Sequence, residues 1–211
     1  MDRRDVLWRR FYHLSAPYYD LWIPVWSRIW GFRDAVERRK MVAHLKLRPG
    51  FRVLEVSIGT GRNVPFIREQ VGPSGRIVGL DLAPGMLRRC RRQLRRWGIE
   101  PFLVEGNGTK LPFASNTFDA VLHFGAINEF TDKRAAVDEM LRVARPGACV
   151  VIGDEGLHPQ TRQSLRGKLL LRVSPFYKHV PPLEDIPPDV QDLGLSWFRG
   201  DACYLLAFRK P

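Results

Sequence analysis

Residues 53–63, Val-Leu-Glu-Val-Ser-Ile-Gly-Thr-Gly-Arg-Asn, set a carboxylate, Glu55, inside an apolar β-branched run that breaks into a small-residue turn at Ser57, Gly59 and Gly61. Glycine has no Cβ, so such a turn lets the backbone bend sharply and a ligand approach it closely. A second apolar run follows, Val78-Gly79-Leu80-Asp81, and it also ends in a carboxylate. A carboxylate closing the second strand of a βαβ unit suits the two hydroxyls of a ribose. Together the two features point to a cofactor that contains adenosine.

The spacing narrows the choice. A dinucleotide site wants a third small residue so that helix and strand pack closely, but Gly59-Thr60-Gly61 is followed by Arg62, Asn63 and Val64. The Gly-Lys-Ser/Thr run of a P-loop is absent as well. An acidic residue ahead of the turn suits a cofactor with a positive amino-acid end and no phosphate, which describes S-adenosylmethionine (SAM).

With these residues in place, the chain resembles the class I SAM-dependent methyltransferases. Within them it is most similar to the ubiquinone/menaquinone C-methyltransferase and phospholipid N-methyltransferase group, the type 11 methyltransferase domain. The resemblance is carried by Glu55-x-Ser57-x-Gly59-x-Gly61, by Asp81-Leu82-Ala83-Pro84-Gly85-Met86-Leu87, and by Gly106-Asn107-Gly108 with Leu111-Pro112-Phe113 and Phe118-Asp119. It extends through Leu141-Arg142-Val143-Ala144-Arg145-Pro146-Gly147, and Tyr18-Tyr19-Asp20 resembles a Tyr-Asp segment near the family's cofactor site. The resemblance implies an α/β fold, a Rossmann-like seven-stranded, mostly parallel sheet with helices on both faces and an N-terminal helical lid.

It also implies roles. Glu55 holds the amino end of SAM through the loop, Gly59 and Gly61 allow close backbone approach, and Asp81 binds the ribose. Met86 packs on adenine and Asn107 meets the adenine amino group. Asn63, Leu82, Gly106, Gly108 and Tyr19 complete the expected cofactor-binding set. Two positions depart from the family pattern. Ser57 puts a Cβ and a hydroxyl where a glycine is usual, and Asn107 keeps an acceptor oxygen without the charge of the usual Asp.

The elements that must position these groups follow from periodicity. The 211 residues are enough for one domain with a sizeable core, and a hydrophobic content of 45% with 27% charged residues is ordinary for a globular chain. Residues 1–48 read as a helical lid, 49–155 as the SAM-binding core, and 156–211 as an acceptor-side excursion ending in a β-hairpin. Strands are expected at 51–57, 76–81, 101–105, 118–124 and 148–154. A helix is expected at about 132–145, before Pro146-Gly147. Leu193–Phe198 and Ala202–Arg209 read as the hairpin, with Arg199-Gly200-Asp201 as its turn, and the proline-rich stretch 175–189 as an extended excursion over the active-site side. Cys90, Cys149 and Cys203 are scattered, which indicates neither a disulfide framework nor a zinc site.

The net charge of +12 is concentrated in one helical stretch carrying Arg88, Arg89, Arg91, Arg92, Arg95 and Arg96. Leu87, Cys90, Leu94 and Trp97 give that stretch an apolar face. The basic face is either simply solvated or drawn to an anionic surface. Membrane is favoured over nucleic acid, because Gly125-Ala126-Ile127-Asn128 lacks the Pro-Pro-aromatic turn of adenine N6 methyltransferases. Aromatic residues dense among arginines in the first 32 positions suit either a lid or a membrane interface. Neither a signal-peptide core nor a run of about 20 apolar residues is present, so a cytoplasmic protein is expected, peripheral on the inner membrane face.

Methyl transfer is an in-line displacement at a sulfonium carbon, which leaves S-adenosylhomocysteine. It asks the protein mainly to align the reactants, and a base only where the acceptor must lose a proton. The acceptor belongs beyond the carboxyl ends of the strands, near Gly125, Asn128 and Glu129. Glu155 and His158 are the candidate bases, while His123 inside the fourth strand reads as a buried, satisfied histidine. The expected acceptor is a small lipophilic molecule, a quinone-type ring or a lipid amine. A soluble metabolite and a non-catalytic SAM-binding protein of the same fold are the alternatives. Composition is silent on oligomeric state.

Overall fold

The computed structural model describes residues 3–16 and 18–211, with the side chains of residues 19, 22, 23, 26, 29, 30 and 173 also outside the described set. Five apolar runs form parallel strands: β1 (Arg52–Val56), β2 (Arg76–Asp81), β3 (Phe102–Glu105), β4 (Phe118–Phe124) and β5 (Ala144–Glu155). The tail adds β6 (Gln191–Phe198) and β7 (Cys203–Arg209), joined by the turn at Arg199-Gly200-Asp201. The order across the sheet is β3-β2-β1-β4-β5-β7-β6, with β7 antiparallel to both of its neighbours. This is the expected seven-stranded, mostly parallel sheet.

Successive strand residues face opposite sides, and the two cores follow that alternation. Leu54, Val56, Val121, Val150 and Ile152 pack with Val137 and Met140 of α6 (Lys133–Val143). Val53, Ala120, Leu122 and Val151 pack the other way, against α3 (Asp34–Ala43), α4 (Val64–Val71) and α5 (Pro84–Arg96). Strands covered on both faces carry near-continuous apolar runs, which is why they are legible in the sequence.

Three boundaries differ from expectation. Strand β5 begins at Ala144, before Pro146-Gly147, and α6 stops at Val143 because Ala144 is already extended (ψ 146). The register shifts between Phe118 and Ala120, so residues 145–148 bulge from the ladder where Pro146 has no N–H to donate. Trp97, expected on the apolar face of α5, is its C-cap and 48% exposed, because the helix ends before the side chain reaches the core. The proline-rich stretch 175–189 is not extended throughout, because it holds 3-10 turns at Pro175–Lys178 and Leu183–Asp185; α7 (Pro159–Gln163) and α8 (Leu165–Val173) precede it.

Two further helices precede α3, namely α1 (Arg3–Ser15) and α2 (Tyr19–Trp30). Helix α1 crosses α5 at Gly85, where an added Cβ would stand 2.6 Å from the backbone oxygen of His13. The missing side chain at Gly85 sets how close the lid lies to the core.

Candidate functional site

Strand order reverses between β1 and β4, and a crevice at such a switch point is the usual ligand site of an open α/β sheet. A cavity of about 470 Å³ opens there, lined by the loops after β1, β2 and β4 and roofed by α1. Ser57, with φ 58, and Gly59, with φ 57, both occupy the left-handed region in the loop after β1. A left-handed conformation costs a non-glycine residue about 1–2 kcal/mol. Ser57→Gly is therefore expected to raise the urea midpoint by the equivalent of about 0.5–1 kcal/mol, the looser unfolded chain of glycine offsetting part of the relief. An unchanged or lower midpoint would show that the serine side chain supports the turn.

The loop is held from β2. Asp81 Oδ2 accepts from Gly59 N at 2.8 Å and Oδ1 from Ala83 N at 2.9 Å. Burial pushes the Asp81 carboxyl up to about 6, against the pull of the Ala83 and Gly59 N–H groups. A carboxylate has about four acceptor sites, so three backbone donors leave it room for a further one. Gly59 faces the cavity, but Gly61 does not line it. A Cβ on Gly61 would meet Cys90 Sγ at 2.7 Å, so this glycine serves packing against α5 instead of ligand approach.

Beneath the loop, Asn63 donates from Nδ2 to Glu55 Oε1 (2.7 Å) and accepts at Oδ1 from Arg38 Nη1 (2.6 Å). With its amide so engaged, Asn63 orients Glu55. The other oxygen, Glu55 Oε2, is buried with no partner among the described residues. Burial pushes Glu55 up to about 7, with the Asn63 hydrogen bond and the Arg38 charge opposing. An unpartnered carboxylate oxygen in a residue that lines a cavity calls for a donor from a ligand. Arg38 pairs onward with Asp34, which also binds Arg62 and Arg199.

The lid docks through residues that pattern alone did not single out. Asp20 of α2 accepts from Thr60 Oγ1 (2.9 Å) and Arg89 Nε (2.8 Å), tying the lid to the loop and to α5. Asp20 is thus the anchor in the Tyr18-Tyr19-Asp20 segment, while the Tyr19 side chain lies outside the described residues. Arg9 of α1 donates to the carbonyl of Leu82 (3.2 Å). Leu82, Met86, Gly106, Asn107 and Gly108 all line the cavity. Asn107 Oδ1, however, accepts from Thr109 N and Oγ1 at 3.0 and 3.1 Å, which uses both of its lone pairs. Its Nδ2 donates to Asp5 Oδ2 (3.0 Å), so α1 supplies the carboxylate at this wall.

The lining is also aromatic, with Trp8, Phe11, Tyr12, Phe130, Phe176 and Tyr177, and Tyr12 packs on Ala83 and Met86. Gly125, Glu129 and Glu155 line the cavity as well. Two expected residues do not. Asn128 is buried and turned inward, bonding Glu155 O (2.8 Å) and Tyr204 OH (2.9 Å) as a brace between strands. His158 packs edge-on to Trp197 and caps α7 by accepting from Gln160 N. His123 is fully buried, with Nδ1 against the carbonyl of Val56 at 3.1 Å, but Nε2 has no partner among the described residues, so only half of the expected satisfaction is met. Burial drives its imidazole down to about 4.

A methyltransferase domain family matches residues 53–147. An uncharacterized protein of Mycobacterium tuberculosis is 31% identical over 70% of this chain and 50% of its own length. A ubiquinone/menaquinone biosynthesis C-methyltransferase of Burkholderia vietnamiensis is 34% identical over 67% of this chain and 57% of its own length. The chain thus spans about half the length of these relatives. Among solved structures, a SAM-dependent methyltransferase from Aquifex aeolicus aligns with a TM-score of 0.62 at 19% identity, covering 83% of this chain and 90% of that one. A geranyl diphosphate C-methyltransferase from Streptomyces coelicolor aligns at 0.68 and 13% identity, over 84% and 79%. At these identities the structural likeness speaks for the fold.

Proposed function

Because the chain belongs to the class I methyltransferases, whose cofactor is S-adenosylmethionine, we propose that it transfers a methyl group from SAM to a small lipophilic acceptor. A quinone-type ring or a lipid amine is the class that fits. The observation that carries this reading is one cavity lined both by polar groups, Glu55, Asp81 and Asn107, and by aromatic rings, Trp8, Phe11 and Tyr12 among them. In this reading Glu55 meets the amino end of the cofactor, Asp81 its ribose hydroxyls and Met86 its adenine. Asp5, held by Asn107, supplies the charged acceptor for the adenine amino group. The named quinone-biosynthesis relatives add weight to an aromatic acceptor. Labelled methyl from SAM, incubated with an extract of the source cells, should enter the lipid fraction. Label confined to the aqueous fraction would replace the acceptor class with a soluble metabolite.

A lipophilic acceptor needs a route to the site, and exposed apolar side chains suit one. Leu7 and Leu14 on α1, Leu21 on α2, and Leu165 and Leu169 on α8 are 61–87% exposed. Arg4, Arg10, Lys168 and Arg172 are exposed on α1 and α8, and Arg91, Arg92, Arg95 and Arg96 on α5. Among the described residues no helix is long and apolar enough to cross a membrane, so the reading is a peripheral seat. Basic residues near anionic lipid contribute about 1 kcal/mol each. The protein is expected to sediment with phosphatidylglycerol vesicles and not with neutral ones, and to leave them at high salt. Leu165→Asp with Leu169→Asp should abolish sedimentation while SAM affinity is kept. Equal retention on neutral vesicles, or no effect of the double substitution, would overturn the seat.

A further inference from the structure

Methylating an ammonium nitrogen, a phenol oxygen or a carbon beside a phenol requires the acceptor to lose a proton, and that proton needs a destination. We propose that Glu129 is the catalytic base that takes it, and that Tyr12 of the lid is the positioning residue that aims the carboxylate into the cavity. The proposal rests on the methyl-transfer reading above.

Placement argues for Glu129 first. It follows β4 directly, on the 3-10 turn Ile127–Glu129, beyond the carboxyl end of a central strand at the switch point. It is half-buried and lines the cavity. Tyr12 OH donates to its Oε1 at 2.7 Å, the one hydrogen bond to this carboxylate among the described residues. Most other candidates fail on position. His158 and Asn128 do not line the cavity, His123 is sealed in the sheet, and Glu55 and Asp81 belong to the loop after β1 and its support. Glu155 does line it, but its carboxyl is engaged with the buried Asp154, and its charge acts on Glu129 from beside it.

The surroundings put Glu129 in a useful range. Burial raises its carboxyl to about 7, the Tyr12 hydrogen bond opposes, the Glu155 charge from β5 adds to the rise, and Arg4 from α1 opposes. His179, which feels Glu155 and Arg4, does not line the cavity and is itself held below the usual imidazole range, chiefly by burial. A base is most effective when its midpoint lies near the working pH. The acceptor X–H passes its proton to the Glu129 carboxylate, which becomes a carboxylic acid. On N or O the lone pair of X forms the X–CH3 bond. On a ring carbon X–H is the phenol O–H, the phenolate's π pair forms the C–CH3 bond, and the ring C–H proton is then lost as the phenol is restored. In each case the C–S bond breaks and its electron pair stays on sulfur, giving a neutral thioether. Charge balances, because one sulfonium and one carboxylate are consumed together. Tyr12 shares α1 with Arg9, which binds Leu82 of the cofactor wall. The base is therefore complete only when the lid is seated.

Three readouts on the full chain test this: SAM affinity by calorimetry, labelled-methyl transfer to a source-cell extract across the neutral range, and carboxyl titration by NMR with [δ-13C]Glu. Glu129→Gln should bind SAM within about twofold of wild type and lose about 100-fold or more in transfer. Glu129→Asp should recover part of that loss. A carboxyl resonance absent from Glu129→Gln should titrate near neutrality in the wild type. In Tyr12→Phe it should move to higher pH, and the transfer profile should move with it. If Glu129→Gln transfers as well as wild type, or that resonance titrates near the ordinary glutamate value of about 4.3, the base is refuted while methyl transfer stands. If wild type binds SAM and labels nothing, methyl transfer itself falls and the base falls with it. Should Glu129→Gln fail to bind SAM, Tyr12→Phe decides, because an unmoved profile refutes the positioning role and a displaced one upholds it.

Discussion

Asp34→Ala is expected to destabilise the fold by about 3–5 kcal/mol, the usual cost of removing one partner of a buried ion pair. The reason lies in how many parts converge on this one carboxylate. Asp34 opens α3 and accepts from Arg38 (2.7 Å), from Arg62 of the loop after β1 (2.8 Å), and from Arg199 of the β6–β7 turn (2.7 Å). Its side chain is 12% exposed, and those of Arg38 and Arg199 are 8% and 12%. Burial alone would raise its carboxyl, yet the Arg38 and Arg199 guanidiniums hold it at about 2. The folded value lies below the unfolded one, so its stabilisation is present above about pH 4 and is lost as pH falls towards 2. Without Asp34, three guanidiniums remain close together, Arg199 also lying over the Phe124 ring at 4.8 Å. Urea unfolding at neutral pH measures the loss. A change under about 1 kcal/mol would mean that Glu37 and solvent replace the carboxylate, and that the hub is no more than an exposed pair in effect.

The contrast between Asp34 and Asp81 shows which parts of the site the sequence carries. Asp81, Glu55, Ser57 and Gly59 sit in one βαβ unit, where strand ends and turn chemistry fix their positions within a few residues. The roles proposed for them follow from local pattern. Asp34 and Arg199 are 165 residues apart, and Asn107 and Asp5 are 102 apart. A charge on a helix or in a hairpin turn reads as solvated until the fold brings its partner to it. Asn128 and Glu129 fail to separate for a different reason. They are neighbours on a three-residue 3-10 turn, which is too short to show a period, yet one points into the sheet and the other into the cavity. His158 was misplaced because its helix turns back onto β6, against Trp197, a packing choice made across 39 residues. The sheet itself was legible because its central strands are buried on both faces, so apolar runs and turn residues alternate with no exposed face to blur them.

Glu55→Gln should separate cofactor binding from stability, with opposite signs. In the protein alone, Glu55 is buried, lacks a partner at Oε2 among the described residues, and has its midpoint raised to about 7. A raised midpoint means that the stabilisation from the protonated form is complete below the unfolded value of about 4.3 and is lost as pH rises through 7. Above neutrality the carboxylate is therefore a burden, and the amide, which needs no charge, should unfold at higher urea. For the cationic amino end of SAM the balance reverses. A hydrogen bond to a charged group contributes about 1.5–3 kcal/mol, so Glu55→Gln should weaken SAM binding by about 10- to 100-fold. The wild type should show the same linkage without any substitution. Binding a cation favours ionised Glu55, so below pH 7 each SAM bound should release a proton, and affinity should fall by about tenfold per pH unit. Calorimetry in buffers of different ionisation enthalpy reads that release directly, and Glu55→Gln should abolish it. Equal affinity in the variant, with proton release intact, would move the recognition of the amino end from Glu55 to another carboxylate of the wall.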